Sequence, residues 1–136
     1  MEQRELSGEE ILRRKKLSND TRQMICGSLE IKTQEDNWVK ASYKDFDLRI
    51  IFSELHPLMV LCLEKPIEDH TRASSLKTNL LNLTSVLGSH CINVYNGFYQ
   101  YRATHWLDTE ITHPRFLEIL DRCVIEASRG YKKIVS

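Results

Sequence analysis

Four short segments between residues 29 and 63 follow the two-residue period of β-strands, and this feature constrains the fold most strongly. Leu29–Lys32, Trp38–Tyr43 and Phe46–Phe52 alternate apolar with polar side chains, which predicts strands that are buried on one face. Leu58–Leu63 is apolar at every position, which is typical of a strand covered on both faces. Turn-forming residues separate the segments, so we expect an antiparallel meander.

A capping-box pattern opens the predicted first helix. Ser7 and Glu10 have the spacing at which each side chain bonds a free amide at a helix start. We expect this helix to run to Gly27, with a break near Ser18, where a second start signal occurs. The basic run Arg13–Lys16 follows acidic residues by one turn, which indicates a solvated helix with internal ion pairs.

Helical periodicity returns after residue 69 and again after residue 112. The second helix carries an apolar stripe that predicts its buried face, and we expect Gly88 to end it. That stripe consists of Ala73, Leu76, Leu80, Leu83 and Leu87. The last helix is predicted to begin at Thr112–Pro114 and to end at Gly130. Its predicted buried stripe consists of Phe116, Leu117, Leu120, Cys123, Val124 and Ala127.

The dipeptide Asn96-Gly97 predicts a β-hairpin between the last two helices. Both residues tolerate positive φ, so we expect a two-residue type I′ turn that pairs Tyr95 with Phe98 and joins strands 91–95 and 98–103. The more apolar face of the hairpin should meet the helices. The members of that face are Ile92, Val94, Tyr99, Tyr101 and Ala103. The opposite face carries Cys91, Asn93, Tyr95, Phe98, Gln100 and Arg102.

Together these elements predict an α+β domain in which helices pack on an antiparallel sheet, in the order α-β-β-β(β)-α-β-β-α. With 136 residues, the chain has the length of a single domain, 1–136. Its 19 basic and 19 acidic residues give zero net charge, so neither nucleic acid nor an acidic membrane is an expected partner. The apolar runs are much shorter than a membrane span.

The chemistry-bearing residues form no recognisable catalytic motif. The five histidines have no metal-binding spacing, and we interpret them as surface or capping groups. Cys62 and Cys123 lie in apolar segments, and the cysteines have no zinc-type spacing, which indicates buried free thiols. The charged N-terminus has no secretory signal, so we expect a cytoplasmic protein. We therefore predict no enzyme activity, no metal and no cofactor.

An aromatic band on the second face of the hairpin is the candidate site for a partner. Tyr95, Phe98 and Trp106 lie there beside Arg102, and Trp38 belongs to the same predicted sheet. If no helix covers this face, the band would bind another protein or a second copy of the chain. The alternative is that a helix covers it and these residues are core.

A second hypothesis concerns a small-molecule site. Arg102 could hold an anion and Trp106 could stack on a ring, with His105 between them in the sequence. A pocket near these three residues would then belong to a small-ligand binder or an enzyme.

The order of elements resembles that of the type III secretion chaperones and the YbjN-like proteins. The local match is best from Leu76 to Ile134, where an Asn-bearing helix precedes a hairpin with a Gly turn, an Arg-bearing strand and an amphipathic last helix. The resemblance implies a small cytoplasmic domain, often dimeric, that binds other polypeptides and is not an enzyme. Secretion chaperones of this kind are usually acidic and this chain is neutral, so the YbjN-like interpretation fits better.

Overall fold

The computed structural model describes residues 7–53, 56–67, 75–93, 95–107 and 110–136. The helices in these residues are α1 (Gly8–Ser28), α2 (Ser75–Thr84) and α3 (His113–Val135). The strands are β1 (Ile31–Glu35), β2 (Trp38–Tyr43), β3 (Phe46–Phe52), β4 (Leu58–Pro66), β5 (Ser89–Asn93) and β6 (Phe98–Trp106).

The strands form one antiparallel sheet in the order β1-β2-β3-β4-β6-β5. The predicted α+β class is therefore confirmed. The first four strands form the predicted meander, and the hairpin of the last two joins it through β4 and β6. Pairing of β4 with β6 makes the sheet continuous across both halves of the chain.

The hydrophobic core lies on one face of this sheet, and the described helices all contribute to it. Ile25 from α1, Leu81 from α2 and Phe116 from α3 belong to the same buried cluster as alternate residues of the strands. The buried strand residues are Val39, Phe46, Leu48, Ile50, Phe52, Met59, Leu61, Leu63, Tyr99, Tyr101 and Ala103. The described helices therefore leave the other face of the sheet uncovered.

The prediction of the central meander was accurate. β2 and β3 have the predicted bounds, and Lys44 and Asp45 connect them with φ values of 45° and 71°. Positive φ at both central residues is the type I′ geometry that suits a two-residue hairpin. β1 lies two to three residues later than predicted, at Ile31–Glu35, and a bulge interrupts its pairing with β2.

The prediction that β4 is covered on both faces holds for Cys62 but not for the other apolar residues on the side away from the helices. Met59, Leu61 and Leu63 are buried under the helices, but Leu58 and Val60 on the opposite face are only half-buried. The strand is apolar at each position from 58 to 63, although the described helices cover one of its faces. Its second apolar face thus needs an explanation other than burial in the core.

The hairpin turn also differs from the prediction. Asn93 pairs with Phe98, so four residues connect β5 to β6 where two were expected. Gly97 has a φ of 66°, whereas Asn96 does not adopt a positive φ, so this is not a type I′ turn. The register shift is two residues, an even number, and it therefore leaves each described strand residue on its predicted face.

The outer helices begin as predicted and continue further. The Ser7 hydroxyl accepts a hydrogen bond from the Glu10 amide at 3.1 Å, and α1 runs without a break near Ser18. Thr112 caps α3, which continues through Gly130 to Val135, so Gly130 does not end the helix. The predicted buried stripe of α3 is confirmed, with Leu117 only partly buried.

The interpretation of the leucine stripe of α2 as a buried face was wrong. The exposed fractions are 67% for Leu76, 56% for Leu80, 81% for Leu83 and 45% for Leu87, while Ala73 lies outside the described residues. The buried residues of this helix are Thr78 and Leu81. Val86, just after the helix, is 87% exposed. We call Leu76, Leu80, Leu83, Val86 and Leu87 the leucine patch.

Gly88 does not end α2, since that helix ends at Thr84. A Cβ at position 88 would lie 2.5 Å from the carbonyl oxygen of Arg102. Glycine is therefore needed here because it lets the loop after α2 approach the backbone of β6 closely.

Candidate functional site

The face of the sheet away from the helices is the main candidate site, and we call it the open face. Strand alternation places every second residue there, from β2 across β3 and β4 to β6. Its members on these strands are Trp38, Lys40, Ser42, Asp47, Arg49, Ile51, Leu58, Val60, Cys62, Glu64, Pro66, Phe98, Gln100, Arg102, Thr104 and Trp106. Among them Cys62 alone is fully buried.

An apolar band crosses one end of the open face. Trp38 pairs with Ile51, Ile51 with Val60, and Leu58 with Trp106, so that neighbouring strands bring these five side chains together. Trp106 is 56% exposed and the other four are partly buried. We call these five residues the apolar band.

A row of cations runs beside the apolar band. Lys40 pairs with Arg49, and Cys62 lies between Arg49 and Arg102 in the cross-strand register. The Arg49 guanidinium lies 5.5 Å from the centre of the Trp38 ring, a cation–π contact that ties the row to the band. Burial raises the pKa of the Cys62 thiol, while the nearby Arg102 charge opposes this effect. We call Lys40, Arg49 and Arg102 the cationic row.

Acidic side chains form the next row, and they already have partners. The Asp47 carboxylate lies 3.7 Å from the Lys32 ammonium, and the Glu64 carboxylate accepts a hydrogen bond of 3.0 Å from Gln100. Phe98 adjoins these groups and helps to line a shallow cavity of about 220 Å³. This end of the open face is therefore polar, with the Asp47 charge paired and the Glu64 charge solvated by a neutral amide.

The four site residues proposed from the sequence do not form one cluster. Phe98, Arg102 and Trp106 share the open face, as expected from their spacing on β6. Eight residues of strand separate Phe98 from Trp106, a distance of about 26 Å at the usual rise per residue. Tyr95 lies in the turn and is 98% exposed. Trp38, which was assigned to the same sheet, lies beside the Trp106 end of the face.

The small-molecule pocket proposed near Arg102, His105 and Trp106 is not formed. His105 lies on the opposite face of β6 from the other two, because its position differs from each of theirs by an odd number of residues. His105 instead helps to line a cavity of about 400 Å³ beside α3, together with Leu87 and Arg122. Three neighbours in sequence therefore face two different sides of the sheet.

Sequence reasoning missed Ile51, Val60, Leu58 and the cations Lys40 and Arg49 as parts of the site. A signal was present in β3, where Ile51 follows Ile50 and breaks the alternation of apolar with polar residues. A second signal was the continuous apolar run of β4, which was interpreted as burial on both faces. Neither signal distinguishes a covered face from an exposed one.

A polar cluster lies on the helix side of the sheet around His90, which is 3% exposed. Its Nδ1 lies 2.6 Å from the Tyr99 hydroxyl and its Nε2 lies 2.7 Å from the Ser85 hydroxyl. The Asn82 side chain bonds both the amide and the carbonyl of His90, at 2.7 Å and 3.0 Å. Burial lowers the pKa of His90, although the Glu126 charge opposes this effect. The interpretation of His90 as a surface or capping group was therefore wrong.

Glu126 fixes the loop that follows α2. Its carboxylate accepts hydrogen bonds from the amides of Val86, Leu87 and Gly88 and from the Tyr101 hydroxyl, the last at 2.7 Å. Burial raises the pKa of Glu126, but these four donors outweigh burial and hold the pKa below its usual value. The arrangement anchors the C-terminal end of the leucine patch to α3.

Two further features of the described residues bear on the possible classes of function. No group of three or more histidine, cysteine or acidic side chains is gathered there as a metal ion would require. None of the helices in the same part of the chain has the length and apolar character of a membrane span.

A six-stranded antiparallel sheet with its described helices on one side defines an α+β fold. No protein-family model matches the sequence, and no curated protein is significantly similar to it. The fold is shared with YbjN from E. coli, with a TM-score of 0.62 and 8% sequence identity over 86% of this chain and 87% of that one.

One chain in each of two chaperone complexes has the same fold. A chain of the HopA1–SchA chaperone–effector complex has a TM-score of 0.61 and 12% identity, with 93% of this chain and 99% of that chain covered. The Yersinia pestis type III secretion chaperone SycH, in complex with a fragment of YscM2, has a TM-score of 0.58 and 12% sequence identity. The match covers 83% of this chain and 98% of that chain. The resemblance in fold to YbjN and to type III secretion chaperones is therefore confirmed.

Proposed function

We propose that this chain is a non-enzymatic protein-binding domain with a chaperone-like role, and that it binds its partner on the open face. The observation that supports this most directly is the apolar band, because the described helices leave its five large side chains uncovered. Clustered apolar groups at the surface of a soluble domain mark an interaction site. Two of the structural neighbours were solved in complexes with protein partners, which agrees with a polypeptide ligand.

The composition of β4 supports this function. On the open face, Leu58 and Val60 occupy positions at which threonine would suit a strand equally well. An exposed apolar strand face increases the risk of aggregation, so it is expected where a partner covers it. Trp106 and Trp38 at the two ends of the band belong to a residue type that is common among the strongest contributors to binding.

The residues chosen from the sequence take different roles in this proposal. Trp106 is an anchor that inserts into the partner, and Arg102, four residues away on the same face of β6, is a charged contact. Phe98 and Tyr95 lie toward the far end of β6 and provide a secondary contact for a longer partner. We further propose a cytoplasmic location, which the four free cysteines support because thiols stay reduced there.

The test is an affinity capture from native cell extract with variants of the open face. We expect a specific partner to be lost when Val60→Ser and Trp106→Ser are combined, with purified-partner affinity weakened by about tenfold or more. Leu12→Ser is the matched control, because Leu12 is 67% exposed on α1, away from the open face. Equal recovery of the partner by wild type and by the double variant would contradict the proposal.

We also propose that a second copy of the chain covers the leucine patch. Its five members are uncharged aliphatic side chains, four of them more than half exposed. A patch without charge is self-complementary across a two-fold axis, as the interface of a symmetric dimer requires. Interfaces of standard size bury about 800 Å² on each partner, and five aliphatic groups with their rim fit that range.

Light scattering coupled to size exclusion tests the dimer. Wild type should elute as a dimer, and Leu83→Glu should be monomeric because the charge would be buried against its symmetry mate. Leu12→Glu introduces the same charge on α1 and should remain dimeric. A monomeric wild-type protein would rule out the dimer without affecting the proposal for the open face.

A further inference from the structure

We propose that the open face binds an amphipathic α-helix of the partner, with apolar side chains on the apolar band and carboxylates on the cationic row. This inference rests on the proposed function, since it specifies the kind of polypeptide that the open face recognises.

The charges on the open face favour an acidic partner. Among the described residues, Lys40, Arg49 and Arg102 form no ion pair, and the buried Nε of Arg49 has no hydrogen-bond acceptor. The neighbouring Asp47 carboxylate pairs with the Lys32 ammonium, whereas the Glu64 carboxylate accepts a hydrogen bond from the neutral Gln100 amide and keeps its charge. Three cations thus face one carboxylate without a cationic partner, so the net charge next to the apolar band is positive, and carboxylates on a partner would complement it.

The hydrogen bonding of the sheet favours a helix. The backbone amides and carbonyls of β2, β3, β4 and β6 bond to each other within the plane of the sheet. A partner lying on the face therefore finds no free backbone groups to pair with, and its own must be satisfied internally. An α-helix satisfies them internally, whereas an isolated extended strand does not.

The dimensions of the apolar band fit about three turns of helix. The band crosses four strands, from Trp38 to Trp106, and strands lie about 4.8 Å apart, so it is about 15 Å long. A helix of ten to twelve residues has a length of about 15–18 Å and presents apolar side chains once per turn, about 5.4 Å apart. On β2 and β3 the cationic row lies two residues further along the strand, about 6.7 Å away, and on β6 Arg102 lies four residues from Trp106, about 13 Å away. One flank of the helix would lie over this row.

Nucleic acid fits this face less well. Three of the five members of the apolar band, Ile51, Leu58 and Val60, are aliphatic and offer no ring on which a base could stack.

Two designed peptides serve as probes. Both have about 14 residues, enough for three turns, with blocked ends, a fluorescent label and leucines at i, i+4, i+7 and i+11. One carries glutamate on the flank and the other carries lysine at the same positions. Fluorescence anisotropy with the full chain should give an affinity for the acidic peptide about tenfold or more higher than for the basic peptide. Circular dichroism should show that the acidic peptide gains helicity on binding.

Charge reversal locates the contact. Arg102→Glu should weaken binding of the acidic peptide about five- to tenfold and strengthen binding of the basic one, because Arg102 is the exposed arginine at the β6 end of the cationic row. Arg129→Glu is the matched control, since Arg129 is an exposed arginine of α3 on the other side of the sheet. It should leave both affinities unchanged within about twofold.

Four outcomes would overturn the inference. The first is equal affinity for the two peptides, and the second is binding that Arg102→Glu does not alter. The third is binding of a labelled single-stranded oligonucleotide that Arg102→Glu abolishes while neither peptide binds. The inference would also be wrong if the captured native partner requires Trp106 and Val60 but cross-links through a segment that is not an acidic helix. That last result would leave the proposed function standing.

Discussion

Gly130 lies inside α3, where glycine weakens a helix, and the ring of His90 explains its presence. A Cβ at this position would be 2.4 Å from two ring atoms of His90 and 3.0 Å from the Tyr99 hydroxyl. The ring has little room to shift because Ser85 and Tyr99 hold its two nitrogens. A helical glycine is thus required here by close packing and not by a positive φ.

Substitution by alanine tests this requirement. Gly130→Ala should lower the free energy of unfolding by about 2 kcal/mol, since overpacking outweighs the gain of about 1 kcal/mol in helix propensity. Gly27→Ala is the control, because Gly27 is also helical and has open space around its Cα. The free energy of unfolding of that variant, measured by urea denaturation, should rise by about 0.5–1 kcal/mol. A stabilised Gly130→Ala protein would show that the His90 ring can move aside.

The burial of His90 predicts a pH dependence of stability. Its pKa in the folded protein is lowered from 6.5, chiefly by burial, so the unfolded chain binds a proton more readily. This contribution to stability is present above pH 6.5 and is lost as the pH falls from there toward the folded-state pKa. Urea titrations at about pH 8 and about pH 5.5 should show the loss for wild type and a smaller loss for His90→Gln. Identical pH profiles for the two proteins would contradict this assignment.

At the scale of elements, β4 has two apolar faces, one that packs in the core and one that we propose binds a partner. Leu61 is 1% exposed in the core, and Leu61→Ala should lower the free energy of unfolding by about 2–5 kcal/mol. Val60 is partly buried on the open face, and Val60→Thr should lower the free energy of unfolding by less than about 1 kcal/mol while weakening binding of the acidic helical peptide. Chemical denaturation and peptide anisotropy on the same two variants measure both effects. Similar stability losses would mean that Val60 belongs to the core.

The elements differ in how far the sequence predicts them. β2, β3 and the turn at Lys44 and Asp45 were predicted correctly because alternation and turn chemistry are local properties. The prediction of a two-residue turn at Asn96-Gly97 was wrong because the pairing of β5 with β6 is not set by the turn alone. It also depends on how β6 extends to Trp106 and pairs with β4. The even register shift nevertheless preserved the assignment of Phe98 and Arg102 to one face.

At the scale of the whole molecule, the two proposed interfaces lie on different sides of the sheet. The leucine patch belongs to α2 and the loop after it, on the helix side, and the apolar band lies on the open face. A dimer formed through α2 therefore leaves the open face of each copy accessible. Partner binding and self-association are thus expected to be independent.

Monomeric protein tests this independence. Leu83→Glu should bind the acidic peptide with the wild-type affinity within about twofold, because the two surfaces share no residue. The stoichiometry should be one peptide per chain in both proteins, measured by titration calorimetry. A large loss of peptide affinity in a folded Leu83→Glu monomer would show that the binding site spans both copies.

The sequence by itself determined the class of fold, the order of its elements and which residues share a strand face. Those properties follow from side-chain periodicity and turn chemistry, which operate between near neighbours in the chain. Only the tertiary structure decided which apolar faces remain uncovered, as the leucine patch and β4 demonstrate. Periodicity reports that a face is apolar, whereas the choice of what packs against it depends on elements distant in sequence. For the same reason, the association of Trp38 with Trp106 and of Lys40 with Arg102 required the pairing of β4 with β6.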